Sequence, residues 1–189
     1  MALRAGLGDL LSGLDFRVGG GVMYYNRQRP ALPADSDLAG LSPSKLGLPD
    51  NEAAQVCVAL VLLARGELDR SHDIVGDLDS QEATYTHAMI HRREGAAQGE
   101  AGLPGYSNAR YWFSCTGEHP HVFPQVQAFA SKHPDAHPSV AAKGEWQPAQ
   151  FVALCERSGD GGAAAGFCRA VQQHEWELLF DHCAELAAG

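Results

Sequence analysis

Apolar positions along this chain follow a helical rhythm, and nowhere in its body do they alternate with period two over the length of a strand. Leu3, Leu7, Leu10, Leu11 and Leu14 recur three and four apart and predict a short amphipathic helix. Gly19, Gly20 and Gly21 interrupt it. No Gly-Lys-Ser/Thr follows, so the run reads as a flexible bend and not as a phosphate loop. Pro30, Pro33, Pro43 and Pro49, with Gly40 and Gly47, predict an irregular surface connection. From Ala53 to Ala64 every residue except Gln55 is apolar, which predicts a helix buried on all sides and capped by Asp50 or Asn51. Leu68, Ser71, Ile74 and Val75 mark a second short helix closed by Gly76. Ala83 to Glu94 forms a third, with Tyr85, Ala88, Met89 and the stem of Arg92 on one stripe and Gly95 as its stop.

Beyond a small-residue loop over 96–105, Ser107 or Asn108 is the expected cap of a helix that turns Ala109, Trp112, Phe113 and Thr116 inward and stops at Gly117 and Pro120. Pro124 opens the next, with Val126, Phe129 and Ala130 inward, and Pro148 another, with Phe151, Leu154 and Cys155 inward. The last helix spans about residues 163–187 and carries two stripes. One is Phe167, Ala170, Val171, His174 and Leu178; the other is Trp176, Leu179, Phe180 and Cys183. Two stripes call for two packing partners, or for an interface between copies of the chain. The fold class expected is all-α: stacked antiparallel helical hairpins over 51–189, closed by a long C-terminal helix and preceded by an arm over 1–50 with a short helix and a Pro/Gly-rich connection.

Composition narrows the function. The chain has 189 residues, 45% apolar and 20% charged, enough for one domain with a real core. Its net charge of −9 argues against nucleic acid or an anionic membrane as partner, since both select basic surfaces. Residues 1–50 balance five basic against five acidic side chains, so the negative charge lies in the body. The five cysteines form no CxxC pair and read as reduced, mostly buried thiols, which with the lack of a secretory signal places the expectation in the cytoplasm.

The joints between helix pairs look alike: Arg65-Gly66-Glu67-Leu68 to Ser71, then Arg93-Glu94-Gly95 to Tyr106-Ser107-Asn108-Ala109, then Arg157-Ser158-Gly159-Asp160 to Ala163. A small residue after each joint lets the two helices approach. Gly95, Tyr106, Ala109, Phe113 and Pro120 resemble the glycine, aromatic, alanine, aromatic and proline of a tetratricopeptide-type hairpin, with about ten extra residues in the joint. A second likeness is to a family of uncharacterised bacterial and fungal proteins. It is carried by His87-Ala88-Met89-Ile90-His91-Arg92-Arg93-Glu94-Gly95, by Tyr106 to Phe113, by Gly117-Glu118-His119-Pro120 and by Glu175 to Asp181. Against that family the loop at 96–105 looks like an insertion. This resemblance implies no activity.

The candidate chemistry sits on the third helix. His87, His91 and Glu94 project within an arc of about 60°. Two imidazoles and a carboxylate suit zinc or iron, with His72 and His119 as further ligands from neighbouring segments. The sequence lacks His-Glu-x-x-His, and the face also reads as a polar network tying adjacent hairpins or as a wet surface. Arg92, on the apolar stripe, is expected to snorkel, with Asp69, Asp73 or Glu94 as the carboxylate that would be needed if it were buried. Asn108 and Tyr111 lie off the packing stripe and could line a pocket with His87 and His91. His119, His121, His133 and His137 fall in a proline-rich stretch read as a mobile, solvated loop, and His174 as a core histidine. No serine or cysteine nucleophile motif is present.

Two functions follow as expectations. The first is a non-catalytic binding or scaffold module that receives a protein segment or small ligand in a groove between hairpins, at His72, His87, His91, Arg92, Glu94, Asn108 and Tyr111. The second is a small metal-dependent enzyme with His87, His91 and Glu94 as ligands and Tyr111 or His72 as acid/base. The second stripe of the C-terminal helix is the surface through which a homo-oligomer would form.

Overall fold

The computed structural model describes residues 7–8, 10–21, 23, 31–33, 36–96, 104–141 and 144–189. Among these there is no β-strand. After a 3-10 turn at Pro43–Leu46 come eight helices: α1 Glu52–Ala64, α2 Leu68–Gly76, α3 Gln81–Glu94, α4 Gly105–Thr116, α5 Phe123–Lys132, α6 Pro138–Ala141, α7 Pro148–Ser158 and α8 Ala165–Ala188. The all-α reading holds. No helix among the described residues is long and apolar enough to cross a membrane.

The apolar helix α1 is the spine. Its N-cap Asn51 accepts from the Ala54 amide, and ten of its thirteen residues are buried. Each fully buried leucine or valine there contributes roughly 1.5–3 kcal/mol. Helix α2 folds back on α1, and Ser71 at the close approach donates its hydroxyl to Ala59 O at 2.7 Å. Helix α8 runs antiparallel to α1. Asn51 Nδ2 reaches Ala187 O at 2.9 Å, and Trp176 Nε1 donates to Leu60 O at 2.8 Å. Consecutive helices from α1 to α4 pair with one another, while α4 also packs on α7, and α8 on α1, α5 and α7. The stripe Trp176, Leu179, Phe180 and Cys183 is therefore consumed inside the chain, at 1% exposure or less. That stripe, expected as a possible interface between copies, is buried. Cys57, Cys155, Cys168 and Cys183 are buried free thiols and Cys115 is exposed.

Helix α3 is less ordinary. From Tyr85 to Glu94 every residue is buried, although the segment holds two histidines, two arginines and a glutamate. The two arginines are met by other elements, and Glu94 by His91 on the same helix. Arg92 does not snorkel: it is 1% exposed and forms an ion pair with Glu175 of α8, itself 0% exposed. Glu175 also accepts from the Tyr85 hydroxyl at 2.8 Å, and Gln172 accepts from Arg92 Nε at 3.2 Å. The guanidinium lies over the rings of Phe151 and Phe113, with its carbon 4.9 and 5.5 Å from their centroids. Burial acts against the charge on Arg92, and the Glu175 carboxylate more than restores it. The carboxylates expected for Arg92 from neighbouring sequence, Asp69, Asp73 and Glu94, are not those that hold it.

Arg93 reaches the opposite way and fastens the N-terminal segment. It bonds Asp15 at 2.8 Å and the carbonyls of Arg17 and Gly19 at 3.2 Å, while Gly21 N donates to Arg93 O at 2.9 Å. The glycine run is thus no flexible bend. A Cβ on Gly21 would sit 2.6 Å from Leu68 and 3.0 Å from Arg93 O, and one on Gly95, at φ +78°, 2.9 Å from Gly19 Cα. Asp15 N donates to Ala64 O, Gln172 Nε2 to Phe16 O, and Val18 N to Asp160, so this part of the arm belongs to the core. The expected first helix is corrected as well: residues 10–13 form turns, and Leu3 lies outside the described residues. So do most of the loop at 96–105 and Pro30 of the expected connection.

Removing Glu175 strands a buried guanidinium. Glu175→Ala is expected to lose about 3–5 kcal/mol and to lower the Tm by roughly 10 °C or more. The double variant Arg92→Met/Glu175→Leu removes both charges and is expected to lose less. Urea and thermal unfolding followed by circular dichroism compare the two; an equal or greater loss in the double variant overturns the assignment.

Candidate metal centre

Three imidazoles meet where α2, α3 and α4 touch. His87 and His91, one turn apart, point from α3 toward α2, which supplies His72. The Nε2 atoms of His87 and His72 are 2.9 Å apart. Ring centroids lie 4.4 Å apart for His72–His87, 5.5 Å for His72–His91 and 5.0 Å for His87–His91. One nitrogen from each ring falls within 4.8 Å of the others. Trp112 of α4 closes the group from one side, stacked on His87 at 3.9 Å and 16°. His87 and His91 are buried and His72 is half-buried, so the approach is from the His72 side.

The protonation pattern follows from the partners. His91 Nδ1 lies 3.0 Å from Glu94 Oε2. The carboxylate accepts, so the neutral tautomer that fits this contact has its proton on Nδ1 and its lone pair on Nε2. His72 and His87 face each other nitrogen to nitrogen, an arrangement that shares one proton or one cation between two lone pairs. Burial, and then the neighbouring His72 and His91, push His87 down to about 3, so its ring is neutral and able to ligate. Four-coordinate zinc with bonds of about 2.0–2.1 Å sets its ligand atoms roughly 3.3–3.4 Å apart. The His72–His87 pair needs to open by a few tenths of an ångström.

The residues expected from sequence divide. His72, His87 and His91 converge. Glu94 does not join them as a ligand; it stands behind His91 and fixes its tautomer, the place of a carboxylate in a carboxylate–histidine–metal chain. It fits there because α4 begins with glycine: a Cβ on Gly105 would sit 2.8 Å from Glu94 Oε2 and 2.6 Å from His91 O. That close approach starts α4 at Gly105, two to three residues before the expected caps Ser107 and Asn108. Tyr111 is 61% exposed and touches Trp112 rather than the histidines. Asn108 is half-buried in the first turn of α4, with no side-chain bond to the cluster among the described residues. Trp112, assigned to the core, is the residue that lines the site instead. Arg92 belongs to the α8 network and not to this site.

His119 is also elsewhere. It is fully buried, against the expectation of a solvated loop, and lies 3.6 Å from Glu82 at the opposite end of α3. The His119 ring beside it holds the Glu82 carboxyl at about 2, against its burial. His121 is exposed and His133 and His137 half-buried, with His133 against Phe129 and Phe167. His174 is half-buried and stacked on Phe129 at 4.2 Å.

No family model matches the chain, and no curated protein or solved structure matches it. The two resemblances drawn from its motifs rest on their residues alone.

The outer position of Glu94 has a measurable consequence. Glu94→Gln is expected to weaken cobalt binding by about 10–100-fold while leaving one cobalt per histidine cluster at saturation. Competition titration against a chelator reads both numbers, and loss of the bound cobalt at saturation makes Glu94 a ligand.

Proposed function

We propose that this protein is a small metal-dependent enzyme whose centre is His72, His87 and His91. The observation that carries the reading is the convergence of three imidazole nitrogens within 4.8 Å, one of them turned by a buried carboxylate. All-nitrogen donors suit zinc or ferrous iron over calcium or magnesium, which select oxygen. Three protein ligands leave a fourth position for water or substrate, as catalytic zinc sites do. A cation there would lower the pKa of bound water and polarise a carbonyl or phosphoryl oxygen, which makes hydrolysis or hydration the favoured reaction class. Trp112 shields one flank, and the half-buried His72 side is where substrate would enter.

A groove for a small ligand has one observation in its favour. A cavity of about 470 Å³ opens between α4, α5 and α7, lined by Phe113, Phe123 and Trp146 with Arg110 and Glu145 at hand. It is of the size that binding clefts have.

Metal content separates the two readings. Protein purified without a histidine tag is expected to carry near-stoichiometric zinc or iron by plasma mass spectrometry, and His87→Ala to lose it. A metal-free wild type that takes up no added zinc or cobalt at this cluster, and whose His87→Ala/His91→Ala variant keeps its Tm, removes the enzyme and leaves the groove.

A further inference from the structure

A second group of donors sits at the other end of α3, five residues and about 7.5 Å along the helix axis from His87. Glu82 comes from α3, His119 from the turn ahead of α5, and His182 from α8. Their donor atoms all lie within 4.8 Å of one another. His182 Nε2 is 3.3 Å and His119 Nε2 3.6 Å from the same oxygen, Glu82 Oε1. Those separations bracket the roughly 3.3–3.4 Å between ligand atoms of a four-coordinate cation with nitrogen and oxygen donors. The second observation is His119 itself. Its side chain is 1% exposed, and Nε2 has no hydrogen-bond partner although it faces the carboxylate. Enclosed polar atoms of this kind are rare unless something fills the gap.

The geometry points to a second divalent-cation site, formed by Glu82, His119 and His182 and distinct from the tri-histidine centre. Two imidazoles and one carboxylate from three separate elements form the donor set that ferrous iron and zinc share. The exposed His121, stacked on His182 at 4.8 Å, covers the solvent side. Gln81, next to Glu82, holds the carbonyls of Thr116 and Glu118 at 2.8 and 2.9 Å and so fixes the turn that presents His119. The binding has a definite cost. His119 Nδ1 accepts from Val122 N at 3.2 Å, so the neutral ring carries its proton on Nε2. A cation must displace that proton, and a proton moved to Nδ1 ends the Val122 bond. This site is therefore weaker than the first, where Glu94 already sets the ligating tautomer. It tethers α3, α5 and α8, so its role is structural or regulatory and it does not rest on the enzymatic reading.

The test uses cobalt(II) and zinc(II) alone on the full chain. Metal-stripped wild type is expected to take up two cobalt ions per chain, the second more weakly, by equilibrium dialysis. His182→Gln and Glu82→Gln are each expected to lose the weak equivalent and keep the strong one, and His87→Gln the reverse. If His87→Gln changes nothing while His182→Gln loses an equivalent, the tri-histidine centre fails and this site stands. Uptake that stops at one equivalent abolished by His87→Gln, or a full wild-type stoichiometry in folded His182→Gln and Glu82→Gln, overturns it. Should those variants not fold, the His119 and His182 ring-nitrogen resonances of wild type decide: zinc is expected to shift both, and unchanged resonances at saturation overturn the site.

Discussion

The fold depends on a carboxylate and a guanidinium that never meet water. Helices α3 and α8 are joined by long side chains rather than by close backbone approach, and Arg92, Glu175, Tyr85 and Gln172 span the space between them. A hydrophobic filling of the same volume could be as stable, since burying a charge pair returns little net energy. What the pair adds is registry. A guanidinium with one matching carboxylate accepts few alternative positions, whereas leucine against leucine tolerates sliding. With α8 held antiparallel to both α1 and α3, the rotation of α3 is set. That rotation decides where the other side chains of α3 point.

Helix α3 in this sense distributes polar groups among four neighbours. Tyr85 and Arg92 serve α8, His87 and His91 serve α2, Arg93 serves the N-terminal segment, and Glu94 serves His91 and the start of α4. Such a helix has no solvent face, so its polar residues are all obliged to find partners. His87 is then neutral, and both histidines are desolvated and preoriented, which is the condition a divalent cation requires of its ligands. The site is a by-product of satisfying a polar helix inside an apolar shell, and Trp112 and Gly105 complete it by letting α4 come close.

How much of this was legible in the sequence follows from the range of each interaction. Helix α1 was plain, because an unbroken apolar run has one interpretation. The pairing of His87 with His91 was plain too, because helical geometry fixes neighbours four apart, and His72 was within reach on the preceding helix. The destination of Arg92 was not, because its carboxylate lies 83 positions away and local candidates were closer in sequence. Glu94 was assigned to the metal for the same local reason, three residues from His91, although that spacing suits a bond to the ring's other nitrogen. The glycine run was misread because glycine signals either freedom or crowding, and only the facing backbone of Gly95 decides which. His119 looked mobile from its prolines, yet Gln81 on a distant helix pins its turn. Tyr111 was grouped with the histidines by position, but its neighbour Trp112, with the larger ring, took the place beside them.

The contact of Gly19 with Gly95 makes residues 15–21 part of the foundation under the histidines. Where two backbones touch without side chains between them, there is no compliant layer to absorb displacement. A pull on the leading segment passes through Arg93 and Gly95 into the last turn of α3, and so to the ring of His91. Asp15 and Gly19, one bonded to Arg93 and the other seated against Gly95, are thereby mechanically coupled to the three-histidine corner.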